Sequence, residues 1–149
     1  MNFDTIIRGG TVVTASDKMR ADVGIQDGRI TAIARDLADR GPAAQIDATG
    51  KLVLPGGLDS HVHISQPSGD GIVMADDFQS GTRSALFGGN TTIMPFCLQE
   101  RDGDLRAAID WYHGLADGQL YTDVAFHLIV ANPSPQVLGQ QLPAAIEEG

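Results

Sequence analysis

The pattern of apolar and polar residues changes at Pro55, and this change limits the folds that the chain can adopt. Before Pro55, short strand-like segments are joined by glycine-containing turns. Gly9-Gly10 and Asp27-Gly28 each predict a tight hairpin, because both pairs tolerate the positive φ angles of two-residue loops. After Pro55, apolar strand-like segments alternate three times with segments of helical periodicity. This β-α-β-α-β-α order predicts an α/β fold with a parallel sheet and right-handed crossovers.

The part of the sequence after Pro55 predicts six elements. Strands are expected at residues 58–64, 91–96 and 124–130, and helices at 77–87, at 104–117 and from 135 onward. Asp76 is the predicted N-cap of the first helix, and Gln79 is expected to complete a capping box. The continuous apolar character of residues 124–130 predicts a strand that is buried on both faces. Ser134 is the expected N-cap of the last helix, which is expected to break at Pro143.

Charge and composition argue against several classes of function. The chain has 10 Lys and Arg against 19 Asp and Glu, which gives a net charge of −9. Because nucleic acids and anionic membrane surfaces attract basic proteins, neither is an expected partner. No apolar run reaches the ~20 residues of a membrane span, and the first residues lack a secretory signal pattern. With Cys97 as its single cysteine, the chain cannot form an internal disulfide, and a cytoplasmic location is expected.

The sharpest signal is the segment Gly56-Gly-Leu-Asp-Ser-His-Val-His63. His61 and His63 are two residues apart in a predicted strand, so their side chains are expected on the same face. Two such imidazoles at a strand end can bind one metal ion. Asp59 has the same parity, and we expect it to support the ligands by a hydrogen bond. Ser65 follows in a loop that is expected to line the substrate pocket.

A bare His-x-His pair is weak evidence by itself, since two partly exposed strand histidines produce the same pattern. The other histidines have simpler explanations. His113 is expected on a solvated helix surface, and His127 is expected to be a hydrogen-bonded core residue, although it could face the same site. Cys97 lacks a neighbouring base that would lower its pKa and is expected to be inert.

Longer segments carry a family resemblance. Residues 47–63 closely resemble the entry segment of the amidohydrolase superfamily, and residues 75–92 with Phe96-Cys-Leu98 are similar to its cyclic-amidase branch, the dihydropyrimidinases and hydantoinases. The resemblance implies that residues 1–54 are the N-terminal part of a small β-sandwich. It implies that residues 55–149 are the first three βα units of a (β/α)8 TIM-type barrel.

The resemblance also implies a metal-dependent hydrolase. His61 and His63 match the two histidines that bind the more buried of two divalent ions, for which zinc is the expected metal. A carboxylated lysine, two later histidines and a later aspartate complete such centres, and a hydroxide held there opens a ring C–N amide bond. The implied substrate is a cyclic ureide or imide, such as a dihydropyrimidine or a hydantoin. Family members often form tetramers, so a homo-oligomer is implied.

The chain departs from the family pattern in its later ligands. Its lysines are Lys18 and Lys51, both before Pro55, whereas the family's bridging lysine follows the third helix of the barrel. The residues after Pro55 are also fewer than half of the ~200 that such a barrel needs. The sequence is therefore interpreted as an N-terminal fragment that is inactive alone. Two alternatives stay open for the parent protein: an allantoinase-type hydrolase, and a non-catalytic assembly protein of the same fold.

Overall fold

The computed structural model describes residues 2–38 and 41–148, and the chain divides into two compact units, Met1–Pro55 and Gly56–Gly149. Together they give the chain a mixed α/β architecture. No helix in the described ranges combines the length and apolar character that crossing a bilayer requires.

The first unit is a five-stranded mixed sheet. Its strands are β1 (Thr5–Val13), β2 (Lys18–Gln26), β3 (Arg29–Ala34), β4 (Ala44–Asp47) and β5 (Leu52–Val53). The order is β3-β2-β1-β4, with β5 also paired to β1. The β1–β2 and β2–β3 pairs are antiparallel, while β4 and β5 run parallel to β1. Val12, Ala21 and Val23 form the buried centre of this unit.

Of the two predicted hairpins, one is confirmed and one is wrong. Asp27 and Gly28, at φ 50° and 69°, join β2 to β3 in a two-residue turn, as their tolerance of positive φ predicts. Gly9 and Gly10 instead lie inside the continuous strand β1, where the β1–β2 register shifts. Gly9 adopts φ 67° in this irregularity. A Cβ atom at Gly10 would lie 2.5 Å from Cγ2 of Val53. Gly9 therefore allows the bulge in β1, and Gly10 allows the close approach of Val53.

The second unit contains a parallel sheet and its crossover helices. Its elements are β6 (Gly57–Val62), α1 (Phe78–Phe87), β7 (Asn90–Leu98), α2 (Leu105–Ala116), β8 (Asp123–Val124), β9 (His127–Ile129), a π-helical segment (Val137–Gln141) and α3 (Leu142–Glu148). β6, β8 and β9 each pair with β7 in parallel. The core residues are Ile64, Phe78, Ile93, Cys97, Tyr112 and Ala116. The predicted alternation of strands and helices is therefore present.

The N-cap of α1 and the last strand differ from the predictions. Asp77, not Asp76, is the N-cap, and Ser80, not Gln79, completes the capping box: the Asp77 carboxylate accepts a hydrogen bond from Ser80 N at 2.7 Å. Two adjacent aspartates leave the position of the cap ambiguous by one residue in the sequence. The expected strand 124–130 is divided into β8 and β9, whose apolar side chains are half-buried. Among the described strands, β8 and β9 each pair only with β7. The edge of each segment that faces away from β7 therefore has no neighbouring strand there.

The C-terminal helix does not break at Pro143. The π-helical segment runs directly into α3, which starts at Leu142, so Pro143 lies inside a continuous helical region. Leu142 N–H donates to the carbonyl of Val137, five residues back, so the proline follows a widened turn of the kind that interrupts the regular i→i−4 pattern. Ser134 lies before this helical region, and its Oγ accepts a hydrogen bond from Val137 N at 3.2 Å.

Candidate metal centre

The two histidines of the His-Val-His segment lie at the carboxyl end of β6. His61 is in the strand, and His63 follows its last residue, Val62. Val62 and Ile64 pack with the hydrophobic core of the second unit, whereas His61 and His63 are exposed. The alternation of a β-strand therefore separates the two aliphatic side chains from the two imidazoles. The rings meet edge to face, with their centroids 5.1 Å apart.

The nitrogen atoms of the two rings are spaced as ligands of one metal ion would be. Nε2 of His63 lies 3.3 Å from Nε2 of His61. Zinc binds imidazole nitrogen at about 2.0–2.1 Å with tetrahedral geometry, which places two ligand nitrogens about 3.3–3.4 Å apart. The donor type and the spacing both fit a divalent ion. They supply two of the four positions around a structural zinc ion.

Gln66 contacts the other nitrogen of His63. Its side-chain Oε1 forms a hydrogen bond with His63 Nδ1, so Nδ1 is occupied and Nε2 faces His61. Ser65, between them, has φ 47° and its N–H donates to the carbonyl of Asp76 at 3.1 Å. This left-handed residue reverses the chain directly after β6. The interpretation from sequence did not predict this contact of Gln66 with His63, because a loop residue three positions after a ligand gives no periodic signal.

Phe96 is the aromatic centre of the site. It lies near the end of β7, and its ring stacks on His63 at a centroid distance of 5.0 Å and meets His61 edge to face at 4.6 Å. His127 of β9 also stacks on Phe96, at 5.0 Å, because Phe96 and His127 are register partners. The half-buried His127 donates from Nε2 to the carbonyl of Ser60 at 2.8 Å. Three strand ends thus bring three histidines around one phenylalanine.

Asp59 and Ser65 occupy different positions relative to the pair. Oδ1 of Asp59 accepts a hydrogen bond from the backbone N–H of His61 at 3.1 Å, which holds the strand end and not an imidazole ring. Ser65 lines a cleft of about 800 Å³ in the second unit, together with Trp111 and Leu115 among others. His61 and His63 do not line this cleft. The pocket role of Ser65 stays a prediction.

Within residues 2–38 and 41–148, no three His, Cys, Asp or Glu side chains cluster closely enough to hold a metal ion. His113 is exposed on α2, where its ring contacts Phe126. Cys97 is fully buried, and this burial raises the pKa of its thiol to about 11. A thiol with such a pKa stays protonated at neutral pH and is a poor ligand or nucleophile.

Comparison with known proteins identifies relatives of the whole chain. It is 48% identical over 143 residues to D-hydantoinase of Geobacillus stearothermophilus, covering 96% of this chain and 30% of that protein. Identity to D-hydantoinase of Streptomyces coelicolor is 44%, over 100% of this chain and 32% of that protein. Dihydropyrimidinase-related protein 5 of Homo sapiens is 38% identical over 97% of this chain and 25% of its own length. No protein-family model matches the chain.

Solved structures show the same relationship. A crystal structure of D-hydantoinase superposes with a TM-score of 0.90 at 44% identity, over 97% of this chain and 31% of that one. Dihydropyrimidinase from Brevibacillus agri gives a TM-score of 0.89 at 43% identity, with the same two coverages. The chain spans about 30% of the length of the curated hydantoinases it matches. It is therefore a homologue of the D-hydantoinases and dihydropyrimidinases, related to them over almost its entire length.

Proposed function

We propose that this chain supplies the first two metal-binding histidines of a hydrolase that opens the C–N amide bond of a cyclic ureide or imide. The observation that carries the proposal is the 3.3 Å separation of Nε2 of His61 and Nε2 of His63 at the end of β6. The similarity to D-hydantoinases over 96% of the chain supports the substrate class. Dihydropyrimidines and hydantoins are the substrates to which those relatives' names point.

The residues of the site have separate tasks in this proposal. His61 and His63 hold a divalent ion through their Nε2 atoms, and Gln66 and Asp59 fix the second ring and the strand end. Such an ion, when bound, lowers the pKa of a coordinated water molecule and polarises the amide carbonyl. Two ions, with zinc as the expected metal, would need ligands in addition to the described residues. The substrate must then approach the face of β6 that carries the imidazoles.

The proposal extends to the architecture and assembly. We assign β1 to β5 to a β-sandwich, and the unit from residue 56 to the first βα units of a (β/α)8 barrel. Active sites of such barrels lie at the carboxyl ends of the strands, which is where His61, His63 and Phe96 meet, with His127 of β9 stacked on Phe96. A tetramer and a cytoplasmic location stay predictions.

The test is a ring-opening assay of the full-length protein that contains this chain. Hydantoin, dihydrouracil and allantoin are offered with zinc present and after its removal by a chelator. We expect metal-dependent opening of hydantoin or dihydrouracil, and a loss of at least 100-fold in kcat/KM in His61→Asn and His63→Asn, since each leaves the ion short of a ligand. His113→Asn, on the surface of α2, is the matched control and should retain full activity.

The other outcomes of that assay decide between the alternatives. A preference for allantoin would replace the proposed substrate with that of an allantoinase. The absence of ring opening with all three substrates would contradict the hydrolase proposal. It would favour the alternative of a non-catalytic assembly protein of the same fold. The 149-residue chain alone is expected to open none of the rings, because its described residues place only two metal donors together.

A further inference from the structure

Gln66 contacts His63 at the nitrogen that faces away from His61. The hydrogen bond joins Gln66 Oε1 and His63 Nδ1, and both residues belong to the segment that leaves β6. The reversal at Ser65 brings the glutamine side chain back to the imidazole. Gln66 is half-buried, whereas the two histidines are exposed. The contact is therefore formed within residues 63–66, at a reversal that is held by the hydrogen bond from Ser65 N–H to the carbonyl of Asp76.

The chemistry of this contact determines which nitrogen of His63 carries the proton. An amide oxygen can only accept a hydrogen bond, so Nδ1 of His63 must be the donor. A neutral imidazole has a single N–H group, which leaves the lone pair of Nε2 free. That lone pair is directed toward His61, whose Nε2 is 3.3 Å away. Metal-binding histidines commonly donate their second ring N–H to an oxygen in this manner.

We propose that Gln66 is a positioning residue that holds His63 as the Nδ1–H tautomer and so reserves Nε2 for the metal ion. The metal ion in this statement rests on the proposed function, but the tautomer does not. In the metal-free chain, Nε2–H of His61 donates to Nε2 of His63. A bound ion would take the place of that hydrogen bond, and the proton of His61 would then have to leave Nε2 for Nδ1 by exchange with water. His63 is ready for the ion, whereas His61 must change its tautomer.

Long-range 1H–15N NMR of the imidazole rings tests this directly in the metal-free chain. Measured at about pH 8, the spectrum distinguishes the Nδ1–H and Nε2–H tautomers of each ring. We expect His63 to be Nδ1–H in the wild-type chain. Gln66→Leu removes the acceptor at nearly constant size and should return His63 to a mixture with Nε2–H. Gln66→Glu restores an acceptor and should restore the Nδ1–H form.

Zinc titration of the same samples provides the second readout. Gln66→Leu should weaken zinc binding about 10-fold or more, the lower end of the effect of losing a ligand's hydrogen-bond partner. Gln66→Glu should bind at least as well as the wild type. Gln79→Leu, an exposed glutamine on α1, is the matched control and should change neither readout. Upon zinc binding, the tautomer pattern of His61 should change and that of His63 should not.

Two results would overturn the inference. One is an Nε2–H tautomer at His63 in the wild-type chain, which needs no variant to fold. The other is an unchanged His63 pattern in Gln66→Leu, with Gln66→Met as a second acceptor-free variant and circular dichroism confirming the fold of both. A third result separates this inference from the proposed function. If His63 is Nδ1–H and depends on Gln66, but zinc perturbs neither histidine, then the positioning role stands and the metal role fails.

Discussion

At the scale of single residues, Asp22 accepts more hydrogen bonds than any other carboxylate in the described part of the first unit, residues 2–38 and 41–55. It is 7% exposed, and it accepts hydrogen bonds from Gly9 N at 2.8 Å, Leu37 N at 3.1 Å and Arg8 Nη1 at 2.9 Å. Burial alone raises the pKa of this carboxyl, but the two backbone N–H groups and the guanidinium outweigh burial and hold its pKa below the ordinary value of 3.8. The Asp22 carboxylate therefore provides a hydrogen-bond acceptor for the N–H group of Gly9, at the irregular point of β1.

We predict that Asp22→Ala lowers the free energy of unfolding by about 1–3 kcal/mol at pH 7, because two N–H groups lose their acceptor. Since the pKa is lower in the folded than in the unfolded chain, the stabilisation by Asp22 is complete above pH 3.8 and decreases as the pH falls below it. Urea unfolding at pH 7 and at about pH 3 measures this. Asp70→Ala, at an exposed loop position, is the control. An equal effect of both substitutions would contradict the account.

Residue-scale features differ in how far the sequence predicts them. The shared side of His61 and His63 follows from the period of a strand, and the structure places the two rings together. Gln66, Phe96 and His127 could not be placed with them, because their contacts depend on a loop reversal and on the register of β7 with β9. His127 is hydrogen-bonded, as expected, to Ser60, but it is half-buried and stacks on Phe96 beside the pair, so it faces the site, as the alternative from the sequence allows.

At the scale of elements, the His127 side chain joins two strands that do not pair with each other. β6 and β9 both pair with β7, and the ring of His127 reaches from β9 to the carbonyl of Ser60 in β6. It also stacks on Phe96 of β7 between them. This contact ties the short edge segment β9 to the strand that carries the metal-binding pair.

We predict that His127→Phe, which keeps an aromatic ring for Phe96 but removes the N–H donor, lowers the free energy of unfolding by about 0.5–1.5 kcal/mol. His127→Gln can still donate to Ser60 and should recover part of that loss. Chemical unfolding of the three chains provides the comparison, with His113→Phe on α2 as the control. If His127→Phe is as stable as the wild type, the hydrogen bond to Ser60 contributes nothing.

Element types were more predictable than element ends. The alternation after Pro55 gave the order of strands and helices, because apolar periodicity is a property of the whole segment. The ends depend on single contacts: Asp77 is the cap because Ser80 bonds to it in return. The sequence does not predict that β1 continues through Gly9-Gly10, because a glycine pair is compatible with a bulge as well as with a turn. The continuation past Pro143 depends on the π-helical segment before it.

At the scale of the whole molecule, the chain holds part of a site. The described residues bring two imidazoles together and no third His, Cys, Asp or Glu ligand, and the chain spans about 30% of its hydantoinase relatives. Spacing alone predicted that the two imidazoles share one face of a strand, whereas their metal-binding role, the proposed substrate and the remaining ligands depend on the relationship to those proteins. The central claim is that Nε2 of His61 and Nε2 of His63 bind the same divalent ion.

A crystal of the full-length protein grown with zinc, with data collected at the zinc absorption edge, tests that claim most directly. The account predicts an anomalous peak about 2.0–2.1 Å from Nε2 of both His61 and His63, with Nδ1 of His63 still bonded to Gln66. A zinc-saturated crystal with no peak between the two rings, or with a peak at Nδ1 of either histidine, would contradict it.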